Sequence, residues 1–539
     1  MPRTTLPSIG ARLIHSGYIG TVRFVGEVDG TQGVWLGVEW DDPTKGKHDG
    51  VKDGKRYFAC LVPNSGSFIR PSPAISYGTS FMTALVSKYV ESTHGAAAEK
   101  VILGSSGGAI EVEAVGLDKI RNKLSRLERL REVSLDNEGV ASADEPGTIK
   151  RTCPNIRGLD LSKNVIPTWD VVALITQELP HLERLALNQN RLSRLEDTDL
   201  ARLAFKGLKE LQLNATLTTW EDSQYIVGCM PELRILEMGY NRLSDLPSLE
   251  NSHNIPLNTS LEELNLDSNH ISCWAKLCHG LRSLTALERL VLTSNGIEEI
   301  TPPTSPQDTL NNLKHLALSF NRLASWRHID ALPLWCPQLQ SLNLVGNSLV
   351  EDPDTSRHAR QFTTAKIPTL ERLDGAAISG KERTDSELFY LSYIATHGPA
   401  DEDARCLEHP RWKELCLKHG APDEPTGGAG SRQNTLSSRL IQINIYACPA
   451  LPPADSAGAT RGAPIRSLQV LPSMSGRAFR AKVAKTFKIA RAQQGQMRLW
   501  LRMPDGNLVE MESTDDMRDL AWWGVDDGSD ILLYADKSR

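Results

Sequence analysis

LERLALNQNRL, residues 182–192, is the stretch from which the rest of the chain can be read. Leu185 and Leu187 flank one small residue. In a strand, alternate side chains share a face, so both leucines point one way and Ala186 points the other. Asn190 follows three residues after Leu187, where the chain must leave the strand and its backbone groups need partners. The same arrangement recurs as VSL at 133–135, LDL at 159–161, LQL at 211–213, LEM at 236–238, LNL at 264–266, LVL at 290–292, LAL at 316–318 and LNL at 342–344. Asn164, Asn241, Asn269, Asn295, Asn321 and Asn347 take the place of Asn190 in their copies. The step from Leu135 to Leu161, Leu187 and Leu213 is about 26 residues each time.

This is the L-x-x-L-x-L-x-x-N pattern of leucine-rich repeats. One such unit cannot bury its leucines alone, so stacking neighbours must form the core, and residues 126–375 are expected to make an α/β solenoid. Strand positions facing away from the leucines include Asp136, Asp160, Arg184, Glu210, Glu237, Glu263, Asp267, Arg289 and His315. That concave face leans acidic and suits a basic or mixed protein surface, or else is a solvated face. PTLERLDG (368–375) reads as a last, irregular copy, followed by a helix around Asp385–His397 and a Pro/Gly/Ser-rich linker at 421–435. Residues 376–437 are therefore expected to be a helical cap and flexible linker.

Two smaller pieces flank the array. In residues 1–75, the runs YIGTVRFVGEV, VWLGVEWD, RYFAC and GSFIRP are short strands between turn signals, as in a small all-β domain. Residues 76–125 connect it to the repeats. Residues 438–539 read strand (LIQINIYA), strand (SLQVLP), helix (RAFRAKVAKTFKIA), a strand pair in MRLWLRMPDGNLVEM and a last strand (DILLYAD), which is an α+β roll.

The chain has 539 residues, 40% hydrophobic and 23% charged, enough for several packed domains. A net charge of −6 lacks the basic excess of a general nucleic-acid binder. No run of about 20 apolar residues suggests a membrane helix, and no signal peptide is apparent. The nine cysteines make no C-x-x-C pair, which points to reduced thiols and no metal site. Gly104–Gly108 matches G-x-S-x-G, but the surrounding VILGSSGGAIEVEAV reads strand–turn–strand, the wrong setting for a catalytic Ser106. Cys273 and Cys278-His279 lack further ligands at metal spacing. No cofactor site is visible, and the chain is read as a non-enzyme.

GKHDGVKDGKRYFACLVPNSGSFIRP (46–71) resembles the CAP-Gly domain family, as do Phe24 and the VWLGVEWD run. Phe24, Trp35, Phe58 and Phe68 are more aromatic surface than so small a core needs, and Lys45, Lys47, Lys52, Lys55, Arg56 and Arg70 make the piece basic. Aromatic walls beside cations suit an acidic peptide with a terminal aromatic residue and free carboxylate. CAP-Gly domains that read EEY/F tails usually have Asn where this chain has His48.

The C-terminal piece resembles a ubiquitin-like domain, but the chain ends YADKSR, without Gly-Gly. CAP-Gly, leucine-rich repeats and a ubiquitin-like roll in this order are similar to the tubulin-folding cofactor E family. SFMTALVSKY (80–89) and VEAVGLDKI (112–120) add to the likeness. That resemblance implies a cytoplasmic, cytoskeleton-associated chaperone that binds α-tubulin. It implies partnership with tubulin-folding cofactors B, C and D in assembling and dissociating the αβ heterodimer, and no membrane or nucleic-acid partner. In the groove it implies Lys47 and Arg70 facing tail carboxylates, His48 at the terminus, and Phe24, Trp35 and Phe58 around the last side chain. A microtubule-end adaptor without a chaperone role is the alternative.

Overall fold

The computed structural model describes residues 6–90, 126–247, 260–352, 356–422, 440–448, 464–489, 493–503 and 506–534. They fall into two compact units that divide after Pro422. Ser106, the stretch 112–120 and the linker from 423 to 435 lie outside the described residues.

The first unit begins with a five-stranded antiparallel sheet. Its strands β1 (Arg12–His15), β2 (Tyr18–Glu27) and β3 (Val34–Trp40) run side by side, with Gly66–Ile69 and Ile75–Ser76 on the edges. Leu13, Val22, Leu36, Val38, Trp40 and Ile75 make its core. At Gly78 the chain turns with φ +82°, and a Cβ there would meet the Gly139 carbonyl oxygen at 2.4 Å, so only glycine fits the junction. Thr79–Ser80 then pairs in parallel with Val140–Ser142 of the repeats. The helix Phe81–Tyr89 follows, capped by the Ser80 hydroxyl. Its buried Phe81 and Leu85 join the same core as the repeat leucines.

The repeats stack as a parallel sheet from Glu132–Ser134 to Arg372–Leu373, closed by the antiparallel Ala376–Ala377. Register is strict: Leu159, Leu185, Leu211, Leu236, Leu264, Leu290, Leu316 and Leu342 face one another in turn. The asparagines lock it. Asn295 Nδ2 donates to the carbonyls of Leu266 (2.9 Å) and Leu292 (3.2 Å), and its Oδ1 accepts from the Ile271 N–H at 3.0 Å. Asn321 and Asn347 do the same one and two repeats on. Thr216 stands in one Asn position, where its hydroxyl donates to the Leu213 carbonyl at 2.9 Å. The residue before the Asn is left-handed in copy after copy: Lys163, Gln189, Tyr240, Ser268, Ser294 and Phe320 all have φ between 52° and 60°.

The back of the solenoid carries helices that open on tryptophan: Trp169–Thr176, Trp220–Val227, Trp274–Leu281 and Trp326–Trp335. Thr168, Thr219 and Ser325 cap three of them by accepting a backbone N–H. From the last repeat onward, the helices Ala359–Lys366, Gly380–His397, Glu402–Glu408 and Trp412–His419 enclose a second core of Phe362, Tyr390, Leu391, Ile394, Trp412 and Leu415. Lys366 Nζ donates to both Asp330 oxygens (2.8 and 2.7 Å) and to the Tyr390 hydroxyl (2.8 Å), which meets His409 Nδ1 at 2.9 Å. The side chain of Glu387, 1% exposed, takes Lys418 and His419, each at 2.7 Å.

The second unit is a mixed sheet in the order Arg466–Val470, Ile441–Ala447, Asp530–Tyr534, Arg498–Arg502, Leu508–Glu510. Ile441–Ala447 and Asp530–Tyr534 are parallel at its centre. The helix Gly476–Thr486 belongs to its core through Phe479 and Val483.

Asn295→Ala leaves buried backbone groups without partners, each costing about 1–3 kcal/mol. It should lower the stability of the solenoid by about 2–4 kcal/mol in urea unfolding, whereas Glu298→Ala, which removes an exposed ion pair to Arg322, should cost under about 1 kcal/mol. A second expectation concerns pH. Burial, aided by Lys366, pushes the His409 pKa down to about 4. The unfolded chain therefore binds more protons between about pH 6.5 and 4, and stability must fall as pH falls through that window, by about 2–3 kcal/mol. Hydrogen exchange in Gly380–His397, corrected for intrinsic rate, should quicken from pH 7 to 4.5, and much less in His409→Gln.

Candidate peptide groove

The outer face of the N-terminal sheet is set by register. The pairs Phe24↔Gly37 and Gly26↔Trp35 lie on one face, opposite to Val25↔Leu36 and Val22↔Val38 of the core. Gly37 pairs with Phe68 on its other side. A Cβ at Gly37 would meet the Phe58 ring at 2.4 Å, so glycine lets Phe58 lie on the sheet. Phe58 is 6% exposed.

Phe68 is the hub of this face. Its ring centroid lies 6.2 Å from Phe24, 6.5 Å from Trp35, 5.0 Å from His48, 5.5 Å from Tyr57 and 5.4 Å from Phe58. Edge-on contacts dominate and fix the rings without closing the surface. Tyr57 packs edge-on to Phe24 at 5.4 Å, while its hydroxyl accepts the Asp29 N–H at 2.9 Å. The structure thus brings Phe24, Trp35, His48, Phe58 and Phe68 together, with Phe68 at the centre, and adds Tyr57. Tyr57 sits inside the 46–71 motif, but the sequence does not show that it touches the other rings.

The cations divide. Lys55 pairs with Asp29 at 2.8 Å and Arg56 with Asp49 at 3.2 Å, while Lys45 lies 4.4 Å over the Tyr18 ring. Arg70 stacks on Trp35, 3.8 Å from its centroid, and donates to the Val34 carbonyl at 3.2 Å. Arg70 therefore both shapes the Trp35 wall and keeps its charge beside it. Among the described residues, no carboxylate lies within ion-pair distance of exposed Lys47.

The tautomer of His48 follows from one contact. The Gly50 N–H donates to His48 Nδ1 at 3.0 Å, so neutral His48 carries its proton on Nε2. Burial, with the charge of Lys47, lowers its pKa despite nearby Asp49. The residue is held by backbone bonds in both directions with Gly66. A neutral donor beside an aromatic nest and a free lysine can bind a terminal carboxylate without a buried charge of its own.

The concave face of the repeats presents the expected carboxylates. Glu237 and Asp267 are raised in pKa chiefly by burial, and Glu237 also by Glu210, Glu263 and Asp267. Arg289 pairs with Glu263 at 3.3 Å. Among the described residues no group of three or more His, Cys, Asp or Glu could hold a metal ion, and no helix is long and apolar enough to cross a membrane.

Residues 9–74 match the CAP-Gly domain family. Tubulin-specific chaperone E of Mus musculus is 31% identical over 547 residues, covering 98% of this chain and 98% of that protein. The Bos taurus protein of the same name is 33% identical over 461 residues, covering 82% and 85%. Tubulin-folding cofactor E of Arabidopsis thaliana is 31% identical over 436 residues, covering 79% and 80%. The Bik1 CAP-Gly domain with the ETF peptide from Bim1 is a solved structure 36% identical over 12% of this chain and 75% of its own, with a TM-score of 0.11. With identity running through nearly the whole length of both proteins, this chain belongs to the tubulin-specific chaperone E family, also named tubulin-folding cofactor E.

Proposed function

We propose that this chain is a tubulin-folding chaperone whose groove takes the acidic C-terminal tail of α-tubulin. The observation that carries the reading is the nest around Phe68, with the Nε2 donor of His48 beside it and the charge of Lys47, which has no ion-pair partner among the described residues, acting on His48. Lys47 and Arg70 meet tail carboxylates, His48 bonds the terminal carboxylate, and Phe24, Trp35 and Phe58 pack the last side chain. The chain works with cofactors B, C and D in assembly and dissociation of the αβ heterodimer, in the cytoplasm and at the cytoskeleton. Its role is binding rather than catalysis.

The division of labour follows the sequence boundaries: CAP-Gly at 1–75, a connecting segment at 76–125, repeats at 126–375, helical cap and linker at 376–437 and a ubiquitin-like domain at 438–539. The strand order of the second unit, with its helix on one core, supports the last assignment. A weak tail contact raises the effective concentration of the tubulin body near the repeats, so two modest contacts act as one strong one.

The test is binding of the full chain to soluble αβ-tubulin. Lys47→Ala and Trp35→Ala should each weaken it at least about tenfold, a loss of about 1.4 kcal/mol or more, with circular dichroism unchanged. Full retention in both variants refutes the groove, and binding to microtubules alone would make the chain a polymer adaptor.

His48 adds a pH signature. A carboxylate placed at Nε2 raises the His48 pKa in the complex above its lowered value in the free chain. Binding then takes up a proton, so affinity for an aromatic-ended acidic peptide should rise as pH falls from 7 to 5.5. Fluorescence anisotropy should show that rise in the wild type and a flat profile in His48→Asn.

A further inference from the structure

Between the N-terminal sheet and the loops of three successive repeats lies a cleft of about 270 Å³. Thr21, Arg23 and Leu61 line it from the sheet, and Arg191, Arg194 and Asp222 are among the residues lining it from the repeats. We propose that this cleft is a second anion subsite, which takes carboxylate side chains of the acidic tail upstream of the residues seated in the groove. The inference rests on the groove reading and extends it.

The charges in the cleft are unevenly matched. Arg191 donates to the backbone carbonyls of Asn190, at 3.2 Å, and Ala215. Asp41 and Glu39 act on it through space, but both are engaged elsewhere. Asp41 pairs with Arg12, and Glu39 takes Arg23 at 2.8 Å and the Val62 N–H at 3.1 Å. Arg194 lies 5.1 Å over the Tyr225 ring. Among the described residues, no carboxylate is within ion-pair distance of Arg191 or Arg194. The one acid in the lining, Asp222, already accepts the Thr219 hydroxyl at 2.8 Å. Among the described residues, two guanidinium groups, one of them partly desolvated, thus have no ion-pair partner of their own, and a guanidinium fork suits a carboxylate.

The cleft also lies close to the groove. Thr21↔Glu39 is on the same face of the sheet as Phe24↔Gly37 and Gly26↔Trp35. Leu61 follows Phe58 by three residues, so their Cα atoms are at most about 11 Å apart. An extended peptide leaving the aromatic nest crosses that distance in about three to four residues. Acidic side chains preceding the terminal aromatic are therefore the occupant that both reach and charge select.

Two fluorescent peptides separate the readings: a short one ending Glu-Glu-Tyr, and the same sequence preceded by about eight further glutamates, enough to span groove and cleft. On the full chain the longer peptide should bind about tenfold tighter, which is about 1.4 kcal/mol. In Arg194→Glu, and independently in Arg191→Met, this advantage should fall below about twofold, with affinity for the short peptide kept. Lys413→Glu, the same charge change on the helical cap, should keep the advantage. Equal binding of both peptides by the wild type, or an advantage that survives in both arginine variants, overturns the cleft and leaves the groove intact. Failure of the short peptide to bind the wild type overturns the groove reading and the cleft with it.

Discussion

The carboxamide of a buried asparagine ties most repeats to the one before. Its NH₂ reaches carbonyls of two successive strands while its oxygen accepts an N–H from the preceding turn, as at Asn295 and Asn321. Without that group, those turns would bury backbone donors and acceptors with no partner, at a cost of about 1–3 kcal/mol each. Because the bond reaches across repeats, the array behaves as one body, and the leucine ladder stays in register along its length.

That rigidity carries into both ends. On one side, Thr79–Ser80 and the helix Phe81–Tyr89 bring the peptide-binding sheet onto the first repeats by pairing and by a shared core. On the other, Lys366, Asp330, Tyr390 and His409 join the last repeat helix to the helical cap through a chain of buried hydrogen bonds. Such a network excludes alternative packings of the cap, because any slip would strand a buried charge. A groove for a flexible tail is thereby fixed on a rigid frame, which lets one weak contact guide a second.

The groove shows how few residues set its chemistry. Gly37 makes room for Phe58, Phe68 touches five rings, and Arg70 braces Trp35. His48 gives up its Nδ1 to the backbone, which leaves a single donor for a ligand. An asparagine would offer donor and acceptor together, so this chain trades versatility for a group whose charge follows pH.

Much of this was legible in the sequence because it is local or periodic. The leucine spacing, the Asn positions and the 46–71 motif state which face is buried and which residue types gather, since strand period and turn chemistry act over a few residues. Phe24, Trp35, Lys47, His48, Phe58 and Arg70 could be chosen as a set from residue chemistry and the family resemblance. Their division of labour could not. Whether a cation is paired, like Lys55, stacked, like Arg70, or without a carboxylate beside it among the described residues, like Lys47, depends on what register and loops place beside it. The meeting of Arg191 and Arg194 with Thr21 and Leu61 joins segments more than a hundred residues apart. No periodicity reports such a meeting, because it arises only when two packed bodies share a surface.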